Sequence, residues 1–149
     1  MTRAVLLDSA PLGLLTAPPQ KRHAQACSRW LTSLIAAGIR VLVPEITDYE
    51  VRRELLRAGK KASVARLDTL AQTTAYLPIT TLAMRRAADL WAAARQQGQP
   101  TAGDNTIDAD MILAAQALTL GIPDVVIATT NVSHLALFVP AEHWQAITP

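Results

Sequence analysis

Residues 96–149 contain no lysine and no arginine. All 14 basic residues lie within 1–95 beside 7 acids, a net +7, and the remainder carries 5 acids alone. A basic part is suited to a polyanion and an acidic part to a cation, although solvated helix faces produce the same bias without any ligand. Cysteine is equally scarce: Cys27 stands alone, so no internal disulfide forms, as in a reducing compartment. No apolar run reaches the roughly 18 residues of a membrane span. Asp8 interrupts the start "MTRAVLLDSAPLGLL" before it acquires the character of a signal peptide. A cytoplasmic protein without membrane contact is expected. Aromatics make up only 4%, which leaves base stacking a minor part in any nucleic-acid binding. Also missing are the G-x-S-x-G of serine hydrolases, a P-loop and a G-x-G-x-x-G. "DSAPL" lacks the second aspartate of haloacid-dehalogenase-type phosphatases, and no lysine follows Lys61, where a receiver domain needs one.

What is present is 149 residues with 50% hydrophobic content, enough to bury one ordinary core, so 1–149 is expected to be a single domain. The runs "AVLL" (4–7), "VLV" (41–43) and "VVIA" (125–128) are continuously apolar and branched, as in parallel strands covered on both faces. "AYLPI" (75–79) is a weaker fourth, with Pro78 suited to an edge, and "HWQAIT" (143–148) a possible fifth. Helical stretches intervene: from Pro18-Pro19 to about Ala37, from Thr47 to Gly59, over Lys61–Thr74, over 80–98 and from near Asp108 to Leu120, with the loop "GQPTAGDN" (98–105) before the last. The alternation predicts an α/β three-layer sandwich, a central parallel sheet of four to five strands flanked by helices.

Ligands of open parallel sheets bind beyond the carboxyl ends of the strands. Standing there are Asp8 after "AVLL", Pro44 to Glu50 after "VLV", and Thr129, Thr130 and Asn131 after "VVIA". Asp110 reaches the same edge only if the chain before it curls back. Each has an ordinary alternative. Asp8 suits a turn in "DSAP". Thr47 and Glu50 match a capping box. Asp108 suits an N-cap and Asp110 the first turn of a helix. Asn131 also fits the start of the next segment. The histidines His23, His134 and His143 cluster with nothing in the sequence and read as surface or structural residues.

Taken in order, these segments resemble the PIN domain, whose best-known members are the VapC-like ribonuclease toxins of bacterial toxin–antitoxin pairs. "VLLDSAPL" resembles that family's first strand, ending in an aspartate and a small polar residue. "VPEITDYEVRREL" is similar to the segment bearing its helical acid, here Glu50. "DMILAAQALTLGI" is similar to its aspartate-led helix, here Asp110. "VIATTNVSHL" resembles its last functional strand, with Asn131 in a slot often held by aspartate. The resemblance implies a metal-dependent endoribonuclease that hydrolyses RNA phosphodiester bonds with Mg²⁺ or Mn²⁺. Asp8 and Asp110 would be the principal metal ligands and Glu50 a base or water holder. Asn131 would add a neutral oxygen, Ser9, Thr129 and Thr130 would orient waters, and Asp108 is a further candidate ligand. Three gathered carboxylates repel one another, and a hard divalent cation relieves that repulsion.

The stretch 51–66 has six basic residues and one acid. Arg52, Arg53, Arg57, Lys60 and Lys61 are the candidates for RNA phosphate contacts. The resemblance also implies a small antitoxin partner, if the protein is a toxin, and a homodimer. Leu82, Leu90 and Trp91 are apolar positions available to that dimer or to the core. The rival reading is a catalytically impaired PIN-like module that binds RNA or protein, a possibility raised by Asn131.

Overall fold

The computed structural model describes residues 3–98 and 104–149. Five strands form one all-parallel sheet: β1 (Ala4–Leu7), β2 (Arg40–Pro44), β3 (Ala75–Leu77), β4 (Val125–Thr129) and β5 (Ala141–His143), in the order β3-β2-β1-β4-β5. Seven α-helices accompany them among the described residues: α1 (Ser9–Thr16), α2 (Arg22–Ala36), α3 (Glu45–Arg57), α4 (Lys61–Thr73), α5 (Thr81–Gln96), α6 (Asp104–Leu118) and α7 (Val132–Leu135). The expected α/β sandwich is the fold observed.

Continuous apolar strands arise because both faces are covered. Val5 and Leu7 of β1 point into one core with Leu12 of α1, Leu34 of α2, Val51 of α3 and Leu67 of α4. Ala4 and Leu6 point the opposite way, against Leu113, Ala114 and Ala117 of α6. All four β1 residues are fully buried, and each buried leucine of this kind contributes roughly 1.5–3 kcal/mol. Helix α5 lies against α6, joined through Ala83, Ala87 and Ala115, small residues that allow close approach, with Met111 filling the space between them. Trp30 of α2 donates its indole N–H to the Ile147 carbonyl at 2.9 Å and meets Trp144 edge-on at 5.5 Å. These contacts pin the C-terminal segment beside β5.

Several local expectations need correction. The fifth strand is 141–143, ahead of the expected 143–148, because Trp144 turns inward to Trp30 and begins a 3₁₀ turn. "DSAP" is no free turn: Asp8 caps α1, and Pro11 lies within the first helical turn, where its missing N–H costs nothing. The following helix opens at Arg22, not at Pro18-Pro19. Helix α3 starts at Glu45 with Pro44 as its cap, so Thr47 is no N-cap and the Glu50 capping box does not form. Helix α6 starts at Asp104, which likewise removes the capping role of Asp108. Residues 99–103 of the expected loop lie outside the described residues.

Candidate functional site

The chain builds β1, β2 and β3 outward in one direction, then crosses to β4 on the far side of β1. The carboxyl ends of β1 and β4 therefore flank the point where strand order reverses, the usual ligand crevice of such sheets. Asp8 ends β1 there. Its backbone N–H donates to the Ala128 carbonyl of β4 at 3.0 Å, and its side chain is fixed by two donors. The Ser9 N–H donates to Oδ1 and the Thr129 hydroxyl to Oδ2, each at 2.7 Å. Asp8 is 7% exposed and Thr129 fully buried. Thr129 Oγ1 also accepts the Asn131 N–H at 2.8 Å, so one hydroxyl locks both the aspartate and the turn after β4.

Glu50 approaches from the second turn of α3, and Asp110 from α6. Burial and the negative charges of Asp8 and Asp110 push the Glu50 carboxyl up to about 7, against a smaller opposing pull from Arg53. Asp110 is also raised, first by burial and then by Asp8, and a hydrogen bond from His134 partly offsets this. Both shifts have burial as their first cause and the Asp8 charge as a further one, so Glu50 and Asp110 each lie within electrostatic reach of Asp8. Helix α6 begins six residues before Asp110 and packs on α3 and α5, so Asp110 stands within the helix, and its contact with His134 sets it beside the segment that follows β4.

His134 on α7 sits at 2.7 Å from Asp110 Oδ2 through Nδ1, both side chains 13% exposed. The expectation that this histidine clusters with nothing is therefore wrong. It stands three residues after Asn131, at a strand end where ligands bind, and that position was the signal available in the sequence. His23 is exposed, and His143 stacks on Trp144. Asp108 is exposed, two residues from the inward-facing Asp110; the helical turn between them separates their directions, and Asp108 leaves the candidate set. Thr130 and the Asn131 side chain are also exposed, and Asn131 makes no side-chain cap bond.

Among the described residues, no three carboxylate, imidazole or thiol groups are gathered closely enough to bind one ion directly. The donor set still fits a hard cation. Mg²⁺ takes one or two carboxylates and keeps several waters, and two aspartates with a nearby glutamate supply that number together with the negative charge.

The basic residues divide. Arg52 forms a fork on Asp48 at 3.0 and 3.1 Å and reaches Asp68 at 2.8 Å, so it is not available as an RNA contact: its nitrogens hold α3 to α4. Arg57 pairs with Glu54 on the surface. Arg53 lies over the Tyr49 ring at 5.2 Å and lines a groove of about 390 Å³ with Ser9, Lys21, Glu50 and Lys60. Lys21, not singled out in the sequence, is brought there by the α1–α2 connection. Lys61 lies one step away beside Leu55, Leu56 and Val64. A larger groove, about 650 Å³ and lined by α1, α2 and Arg66, contains no carboxylate.

The family model for the PIN domain matches residues 15–134. The chain belongs to the PIN domain family. The match starts after Asp8, whose place in the site rests on the structure. Among solved structures, this PIN domain resembles VapBC2 from Rickettsia felis, bound to a DNA fragment from the promoter, with a TM-score of 0.72 and 14% identity over 95% of this chain and 98% of that one. It resembles FitAcB from Neisseria gonorrhoeae with a TM-score of 0.69 and 24% identity, over 96% and 99% of the two chains. VapBC-1 from nontypeable Haemophilus influenzae gives 0.68 and 17%, over 95% and 98%. At these identities the likeness is one of fold. Among curated proteins, none matches the chain.

Proposed function

We propose that this PIN domain is an endoribonuclease dependent on Mg²⁺ or Mn²⁺, and the toxin of a toxin–antitoxin pair. What supports the reading most is placement: Asp8 is bonded to Ala128 and Thr129 at the β1/β4 switch point, Asp110 is bonded to His134 just after β4, and Glu50 lies within electrostatic reach of both aspartates. Structural relatives that are VapBC complexes favour the toxin assignment and a cognate antitoxin.

Asp8 and Asp110 would hold the cation, directly or through water. When bound, it lowers the pKa of a coordinated water and stabilises charge on the phosphoryl oxygens. Glu50, within electrostatic reach of both aspartates, would take a proton from the attacking water as a general base. Thr129 and the Ser9 N–H keep Asp8 from rotating. Arg53, Lys60 and Lys21, lining the groove that Glu50 enters, would seat RNA phosphates, with Lys61 and Arg57 further out. Asn131 would contribute at most a neutral oxygen, which favours a single ion. Exposed Leu82 and Trp91 on α5 are available to a homodimer, whereas Leu90 packs on the core.

The test is cleavage of structured RNA with Mg²⁺ or Mn²⁺ by wild type and Asp8→Asn. The expected result is metal-dependent cleavage abolished by the substitution. RNA binding without cleavage in either protein would instead support the impaired binding module suggested by Asn131.

A further inference from the structure

Asp110 has one oxygen already committed. His134 Nδ1 is 2.7 Å from Oδ2, and both side chains are 13% exposed, so the bond is shielded from water. The other ring nitrogen, Nε2, is buried and has no partner among the described residues. The tautomer that leaves no N–H stranded therefore carries its hydrogen on Nδ1 and donates it to Asp110. Phe138 meets the ring edge-on at 6.2 Å and 90°.

On the far side of the pocket, Thr129 performs the same service for Asp8. Both aspartates are thus tethered through Oδ2 by a donor from β4 or the turn and helix directly after it. Carboxylates that bind metals are commonly oriented by such outer hydrogen bonds, whose loss typically costs 10- to 100-fold in metal affinity.

We infer that His134 is a positioning residue for the divalent-cation site: by occupying Oδ2 it presents Asp110 Oδ1 to the ion. The inference rests on reading Asp8, Glu50 and Asp110 as that site. It assigns the imidazole no contact with the RNA or the ion.

The experiment is calorimetric titration of the full chain with Mn²⁺, alongside RNA-binding measurements in EDTA and thermal unfolding of the metal-free protein. The proteins are wild type, His134→Ala, His134→Asn and Asp8→Asn. Asparagine places an amide N–H close to the position of Nδ1. The expected result is Mn²⁺ binding weakened about 10- to 100-fold in His134→Ala and restored to within roughly fivefold in His134→Asn, with metal-free RNA binding unchanged in both. Should His134→Ala fail to fold, His134→Phe, which fills the space without a donor, takes its place. Mn²⁺ affinity within threefold of wild type in the donor-less variant overturns the inference, and so does an asparagine variant as weak as the donor-less one. Absence of Mn²⁺ binding by wild type overturns the metal-site reading itself. Wild-type binding lost in Asp8→Asn but indifferent to residue 134 leaves that reading intact and overturns only the role of His134.

Discussion

Replacing Glu50 with glutamine is expected to stabilise the metal-free protein, and to do so only above mildly acidic pH. The carboxyl is raised from 4.5 to about 7 by burial and by Asp8 and Asp110. At ~1.4 kcal/mol per pH unit this corresponds to roughly 3 kcal/mol. The side chain is only partly buried, so water and the nearby Arg53 reduce the working figure to about 1–2 kcal/mol. The sign follows from linkage. Below about pH 4.5 the group is protonated in the folded and unfolded chain alike, and nothing is lost. Between 4.5 and 7 the unfolded chain ionises while the folded one resists, so wild-type stability falls. Above 7 the penalty is complete. Glutamine carries no charge to repel, and its advantage should grow from nothing near pH 4 to a rise in Tm of roughly 3–6 °C at pH 8 for a domain of this size. Thermal unfolding in EDTA across pH 4–8 measures it. A difference independent of pH, or a variant less stable than wild type at pH 8, would refute the crowded-pocket argument. Mg²⁺ should invert the ranking, stabilising wild type more than the variant.

Other expectations follow from single contacts. Thr129→Val leaves Asp8 Oδ2 and the Asn131 N–H without their shared partner and should cost about 1–3 kcal/mol by denaturant unfolding. Arg52→Ala should likewise destabilise by about 2 kcal/mol, because Asp48, only 8% exposed, loses its fork, while RNA affinity is little changed. Arg53→Ala and Lys60→Ala should behave the opposite way: near-normal stability, weaker RNA binding, and a salt dependence shallower by about one ion for each contact removed. Chelation of divalent ions should abolish cleavage, with activity restored by adding Mg²⁺ or Mn²⁺.

The sheet was legible because its central strands are buried on both faces and so read as unbroken apolar runs. Strand β5 was misplaced because "AEH" has no apolar run; it pairs with β4 at an edge of the sheet, with only Ala141 packed on the core. Helix starts were less legible than helix bodies. Thr47 and Asp108 have the chemistry of caps, yet both helices extend past them, because Ile46 packs into the core beneath the sheet and α6 begins four residues earlier than Asp108. Asp8, Glu50 and Asp110 are candidates by residue type and order. His134 was not, since its partner lies 24 positions away and a four-residue helix has no periodicity to mark an inward face. The loss of Arg52 to an internal pair was half legible: Asp48 stands four residues before it, a good helical ion-pair spacing, but the contact to Asp68 depends on how α3 meets α4.

The central claim, that Asp8 and Asp110 hold one divalent ion beside Glu50, is tested most directly by crystals grown with Mn²⁺ and measured for anomalous scattering. A single peak is expected at the β1/β4 strand ends, about 2.0–2.6 Å from an oxygen of Asp8 or Asp110 or one water away from both. A Mn²⁺ peak elsewhere, with none among these three carboxyl groups, would contradict it.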